Sequence, residues 1–230
     1  MNQPGFAIRK RRRTAIVAGA TGLVGRALVE ELLAESSVGS VHVLVRAEQP
    51  AWRKRNGLTQ HVVDYQRGLG ILPTADDAYC CLGTTIKAAG SQQAFRAVDH
   101  DAALAFARAA QGAGVTRFGL VSALGADAKS GIFYNRVKGE TEQAIAALGF
   151  ESMVIARPSL LLGDRAALGQ PTRPGERIAA TLTARIGWLM PRAVEPIQAV
   201  TVARALMRSV QRGEPGLFGL SSGLLQVLGA

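Results

Sequence analysis

Short apolar runs along the chain alternate with longer segments in which apolar residues recur every three or four positions. Residues 14–19 (TAIVAG) are the first such run and predict a buried strand, which leads through Gly22 into a helical stretch ending near Ser36 and Ser37. Residues 41–45 (VHVLV) predict a second strand. Beyond a loop with Pro50 and Gly57, residues 61–64 (HVVD) predict a third and residues 78–82 (AYCCL) a fourth. Phe95, Val98, Ala102, Phe106 and Ala109 recur at helical spacing, with Gly112 and Gly114 as a stop before a fifth strand at 118–122. A helix over 134–148 and a strand over 153–156, closed by Pro158, continue the rhythm. Strands separated by helices of about ten residues or more require parallel pairing through right-handed crossovers. The predicted fold is therefore α/β, a doubly wound, Rossmann-like parallel sheet covered on both faces.

Beyond Arg157 the alternation weakens into a stretch at 163–175 that carries Pro and Gly, followed by helical patterns at 176–188 and 201–212. With no strand of their own, these predict a small, mainly helical C-terminal elaboration at about 163–212, closing over the sheet's carboxyl edge, where ligands of open α/β folds bind. The expected organisation is a basic N-terminal arm at 1–13 and a single domain at 14–230.

Composition supports a folded chain. Of 230 residues, 48% are hydrophobic and 19% charged, which excludes intrinsic disorder and provides a full core. The longest stretch without Asp, Glu, Lys or Arg runs from 215 to 230 and is shorter than the roughly 20 apolar residues of a spanning helix, so no membrane anchor is expected. Cys80 and Cys81 are adjacent and poorly placed for an ordinary disulfide, which points to a reducing, cytoplasmic setting.

The net charge is +10, and Arg9, Lys10, Arg11, Arg12 and Arg13 supply half of it. Such a run suits nucleic acid or a membrane surface, but without interleaved aromatics a solvated arm is favoured and no nucleic-acid partner is expected. The arm, the uncharged run and Ala18-Gly19-Ala20 also imitate a signal peptide, a reading rejected because the same residues fit the first strand and turn.

The chemistry begins at that turn. Gly19, Ala20, Thr21, Gly22, Leu23, Val24 and Gly25 form a G-x-x-G-x-x-G between strand and helix. Gly19 permits the tight turn, Gly22 lets backbone N–H groups approach a pyrophosphate, and Gly25 lets the helix lie close to the strand with its N-terminus toward the anion. The alternative is a tight turn with no ligand. At the end of the second strand, where an NAD site places a carboxylate, stands Arg46, 21 residues after Gly25. A guanidinium there suits a 2′-phosphate, so NADP(H) is favoured over NAD(H), although Glu48 is close and an ordinary exposed arginine is the other reading.

Tyr134 and Lys138 form a Y-x-x-x-K, with Ser122 twelve residues before Tyr134 at a predicted strand end. Val137, Thr141, Ala144, Ile145 and Leu148 make the buried stripe of the helix, and Tyr134 and Lys138 lie together at its edge. A phenol is a poor acid–base group at neutral pH, and a nearby ammonium favours its ionised form. Ser122 would hold a substrate oxygen while Tyr134 gives or takes the proton. Taken alone, the pair also reads as a half-buried tyrosine beside a solvated lysine.

Together these residues resemble the short-chain dehydrogenase/reductase superfamily. The run Cys80-Cys81-Leu82-Gly83-Thr84-Thr85, the segment Val121-Ser122-Ala123-Leu124-Gly125-Ala126-Asp127, and Arg157-Pro158 followed by Gly163-Asp164-Arg165 resemble its atypical Tat-interacting-protein-like oxidoreductases, from about Thr14 to about Arg212. The resemblance implies that Leu82, Gly83 and Thr84 line the cofactor, that Asp64 lies near the adenine, and that Arg157, Pro158 and Ser159 follow the strand bordering the nicotinamide. Asp64 as a turn residue and Pro158 as a strand stop are the alternatives. Many better-known members place a relay Asn in the helix after the fourth strand. This chain has Ala97-Val98-Asp99-His100 there; Asp99 and His100 could replace the relay, but the charged run reads rather as a solvated face. Three scattered histidines and one cysteine pair make no convincing metal set.

Two functions follow. One is an NADP(H)-dependent oxidoreductase acting on a small carbonyl or alcohol, with Ser122, Tyr134 and Lys138 as its catalytic set. The other is an NADP(H)-binding regulatory module with little turnover, which has no chemical need for a proton donor. Arg165, Arg173, Arg177, Trp188 and Met190 fall where a roof over the site is expected.

Overall fold

The computed structural model describes residues 11–163 and 195–230. Within them the chain forms β1 (Arg13–Ala18), α1 (Leu23–Ala34), β2 (Val38–Val45), β3 (Leu58–Val62), β4 (Asp77–Cys80), α2 (Ile86–Ala89), α3 (Gln92–Arg96), a π-helical segment (Ala97–Ala102), α4 (Ala103–Gly112), β5 (Arg117–Val121) and α5 (Phe133–Ala146). There follow β6 (Ser152–Arg157), the two-residue β7 (Leu161–Leu162) and β8 (Ile197–Gln198), α6 (Ala199–Arg212), β9 (Gly216–Ser221) and α7 (Ser222–Leu228). Seven strands pair in parallel in the order β3-β2-β1-β4-β5-β6-β9, and the predicted doubly wound sheet is present.

Burial on both faces explains the unbroken apolar runs. In β1, Ala15 and Val17 face one layer and Ile16 and Ala18 the other. The first layer holds Leu28, Val29 and Leu32 of α1 and Val202, Leu206 and Val210 of α6. The second holds Phe106 and Ala110 of α4 with Ile145 of α5, closed by Phe118 and Phe150 stacked at 4.7 Å. Each fully buried Leu, Val or Phe of these layers contributes about 1.5–3 kcal/mol.

Three features differ from the sequence expectation. The β3-to-β4 connection, residues 63–76, has no helix, and Leu72 and Ala75 cover the second face there. The helix expected at 201–212 is α6, which lies against the sheet beside α1 rather than over the carboxyl edge, and it feeds β9, a strand the sequence reading lacked. Gly216 and Gly219 had hidden that strand. Because α6 lies on the face opposite α4 and α5, the β6-to-β9 crossover has the opposite hand to the others. This link is no tight βαβ unit: it spans residues 158–215 and includes the β7–β8 pair, so the packing that fixes handedness in short crossovers does not apply. The segment 164–175, the helix at 176–188, and Arg165, Arg173, Arg177, Trp188 and Met190 lie outside the described residues, as do Arg9 and Lys10 of the arm.

The rest of the arm is not free. Arg11 pairs with Asp76, and Arg13 starts β1 and reaches the buried Asp77, which Arg117 Nε also holds at 2.5 Å. These contacts tie the arm to the amino edge of the sheet, opposite the edge considered next. No described helix is long and apolar enough to cross a membrane.

Candidate cofactor and active site

Because all strands of the main sheet run the same way, the segments that follow them meet at one edge: Gly19 after β1, Arg46 after β2, Asp64 after β3, Leu82 to Thr84 after β4, Ser122 after β5 and Pro158 after β6. This is the edge at which open parallel sheets bind ligands.

The glycine turn is required sterically. Gly19 has φ +78°, and a Cβ there would lie 2.4 Å from the carbonyl oxygen of Cys81. Gly22 donates its N–H to the Gly19 oxygen at 3.0 Å and caps α1, whose first turn carries no acidic residue. A Cβ at Gly25 would lie 2.1 Å from that same oxygen. The turn thus presents the free N–H groups of a helix start, a cradle suited to a diphosphate. Val24 is buried in the core, so its backbone alone faces the turn, while Thr21 and Leu23 are half-buried. The Leu23 side chain also lies against Gly163, the residue that follows β7.

Arg46 is exposed at the end of β2 and has no carboxylate partner among the described residues. Glu48, the residue that weakened the case for a 2′-phosphate, is drawn to Arg53 at 2.9 Å. Arg26 of α1 lies nearby in sequence to the turn, its guanidinium 5.6 Å from the centre of the buried Trp52 ring.

At the centre of the edge, Ser122 is buried, and its Oγ has no hydrogen-bond partner in the protein among the described residues. Tyr134, half-buried in the first turn of α5, sets its ring 5.4 Å from that of Phe95. Lys138, one turn on, is not the solvated lysine of the alternative reading. It is buried, with Nζ 2.6 Å from Asp99 Oδ1. Burial works against its ammonium, but Asp99 and then Tyr134 outweigh it and hold Lys138 above its ordinary pKa. Lys138 is therefore a fixed cation at neutral pH.

Asp99 corrects the reading of Ala97-Val98-Asp99-His100 as a solvated face. Its carboxylate is fully buried, and Oδ2 accepts the backbone N–H of Thr84 at 2.8 Å. The signal was there in the spacing, since Asp99 is four residues after the core residue Phe95 and three before Ala102. His100 pairs with Asp101 at 2.7 Å.

Other expected contacts are engaged elsewhere. Asp64 accepts the N–H of Gln66 at 2.9 Å and pairs with Arg67, the behaviour of the turn residue that was its alternative reading. Arg157 donates from Nε to the buried Glu142 at 3.0 Å, and its second nitrogen also binds that carboxylate, bracing β6 to α5. Pro158 accepts the Leu124 N–H at 2.9 Å, linking the loops after β5 and β6. Glu142 was missed because a charged residue on a helix reads as solvated unless its partner, here on the next strand, is known. Cys80 and Cys81 are free thiols; burial is the main cause that raises Cys80 to about 11 and Cys81 further, so both stay protonated. No group of three or more His, Cys, Asp or Glu suited to a metal occurs among the described residues.

The model of the NAD(P)H-binding family matches residues 19–185. The chain is 33% identical to Protein HTATIP2 of Rattus norvegicus over 211 residues, 88% of this chain and 83% of the relative. It is 34% identical to the mitochondrial protein fmp52 of Emericella nidulans over 176 residues, 74% of each chain. Among solved structures, MoeE5 in complex with UDP-glucose and NAD superposes with a TM-score of 0.67 at 19% identity, covering 90% of this chain and 75% of that one. The Bordetella bronchiseptica enzyme WbmG in complex with NAD gives 0.66 at 17%, covering 94% and 75%. At these identities the two structures establish the fold, a Rossmann-like parallel sheet with a C-terminal helical part. The fungal relatives also correct the cytoplasmic expectation, because they are named as mitochondrial proteins.

Proposed function

Since the chain belongs to the NAD(P)H-binding family, among the Tat-interacting-protein-like atypical short-chain dehydrogenase/reductases, we propose that it is an NADP(H)-dependent oxidoreductase acting on a small carbonyl or alcohol. One observation carries the reading. A buried serine hydroxyl without a protein partner among the described residues stands at the end of β5, on the edge that also carries the glycine turn and the Tyr134–Lys138 turn of α5. Buried hydroxyls are ordinarily hydrogen-bonded, and a substrate oxygen would satisfy this one.

The glycine turn would hold the diphosphate through the N–H groups opening α1, and Arg46 would read the 2′-phosphate, with Glu48 taken up by Arg53. When bound, the nicotinamide supplies or accepts the hydride. Ser122 donates its hydroxyl to the substrate oxygen and fixes its place. In the reductive direction Tyr134 gives that oxygen its proton; in the oxidative direction it takes the proton back. Lys138, held as a cation by Asp99, stabilises the charge left on the tyrosine oxygen.

The test is NADPH oxidation with a panel of aldehydes, ketones and quinones, comparing wild type with Tyr134→Phe. Turnover should fall about 10²- to 10⁴-fold with NADPH affinity retained. Equal rates in the two proteins would remove Tyr134 from the chemistry.

A further inference from the structure

Asp99 makes three contacts with two different parts of the site. Its Oδ1 lies 2.6 Å from Lys138 Nζ, its Oδ2 accepts the Thr84 N–H at 2.8 Å, and its backbone carbonyl accepts the Thr141 hydroxyl at 3.0 Å. Lys138 and Thr141 are one turn apart on α5, while Thr84 belongs to the segment after β4 that the family resemblance assigns to the cofactor. Asp99 itself sits in the π-helical segment between α3 and α4. A π turn holds its carbonyls one residue out of the α-helical ladder, and such turns recur at functional sites. Here the irregular turn brings one residue's backbone and side chain onto two neighbours at once.

We infer that Asp99 is a positioning residue that ties the cofactor-facing loop at Thr84 to the acid–base lysine, so that one carboxylate sets both the loop and the cation. The inference rests on the proposed function for its kinetic part and stands apart from it for its binding part. The groups facing Lys138 are few: Asp99 from the π segment, Tyr134 from its own helix and Cys80 from β4, with the backbone of Gly83 closing the fourth side. Cys80 stays protonated, so the carboxylate of Asp99 is the counter-charge of the buried ammonium. A buried ion stripped of its partner gives up its charge rather than remain alone. Loss of the Asp99 charge therefore shifts Lys138 toward the neutral amine.

Two variants separate the two contacts. Asp99→Asn keeps an oxygen for the Thr84 N–H and removes the charge; Asp99→Ala removes both. In Asp99→Asn the alkaline limb of the NADPH-oxidation profile should move down by at least about one pH unit, with NADPH affinity within threefold of wild type. In Asp99→Ala the limb moves equally, and the NADPH dissociation constant rises about tenfold, the size of one lost backbone hydrogen bond. A limb that stays in place in both variants would overturn the inference, as would equal NADPH affinity in Asp99→Asn and Asp99→Ala. If wild type shows no turnover, or Tyr134→Phe matches it, the oxidoreductase reading fails while the affinity comparison still decides the role of Asp99. Should the single variants unfold, the comparison is made in the Lys138→Met background, which removes the stranded ammonium, with the same affinity difference expected and its absence decisive against the idea.

Discussion

Gly25→Ala tests the cofactor turn most directly, because what the new methyl group meets is backbone and cannot swing aside. The Cβ would lie 2.1 Å from the Gly19 oxygen, 2.8 Å from the Gly19 carbonyl carbon and 3.0 Å from Ala20 Cα. Relief requires α1 and the turn to separate by about 1 Å, and overpacking of this kind costs about 1–3 kcal/mol. For a chain of this size that is a fall in Tm of about 2–10 °C. The same separation draws the N–H groups opening α1 away from the diphosphate position. Losing one or two hydrogen bonds to a charged group, each about 1.5–3 kcal/mol, raises the NADPH dissociation constant about tenfold or more. Fluorescence titration of NADPH and a thermal melt on the same samples read both effects. Gly22→Ala meets the same oxygen at 3.3 Å with an ordinary φ of −77°, so its Tm should change by less than about 2 °C. Gly131→Ala meets nothing within 4 Å and should leave both readings unchanged. If Gly25→Ala bound NADPH within threefold of wild type, the turn would not be the phosphate cradle.

Arg46→Asp should weaken NADPH at least about tenfold more than NADH; parallel changes in the two dissociation constants would show that Arg46 does not read the phosphate. His42 Nδ1 and His61 Nε2 lie 2.9 Å apart across β2 and β3, and burial, then the charge of His61, holds His42 below its ordinary value of 6.5. The unfolded chain therefore takes up the proton first, and stability is lost as pH falls through 6.5. The urea midpoint should drop between pH 7.5 and 5.5, and the drop should shrink in His42→Asn; identical slopes would rule the pair out as its cause.

Much of the fold was legible because a parallel sheet buried on both faces leaves unbroken apolar runs such as those containing Ile16 and Val17, and because Gly19 and Gly25 sit where a Cβ has no room. What escaped had its partner far away in sequence. Strand β9 carries two glycines and is exposed along most of its length, so pairing with β6, not local propensity, makes it a strand. Lys138 and Glu142 looked like the polar margin of an amphipathic helix. Each is buried because a residue of opposite charge, Asp99 or Arg157, comes from a neighbouring element. Periodicity records which face of a helix is covered and says nothing of charges that neutralise each other beneath the cover.

That neutralisation decides where the attraction for an anionic dinucleotide originates. With its carboxylate 2.6 Å away, the Lys138 ammonium is half of a compact dipole, and its field falls off steeply beyond the tyrosine beside it. In the proposed mechanism it would serve Tyr134 without competing for phosphate. At the amino edge Arg11, Arg13 and Arg117 are offset in part by Asp76 and Asp77. At the carboxyl edge stand three positive groups without a carboxylate partner among the described residues: the N-terminus of α1, with no acid in its first turn; Arg46; and Arg26, laid over Trp52.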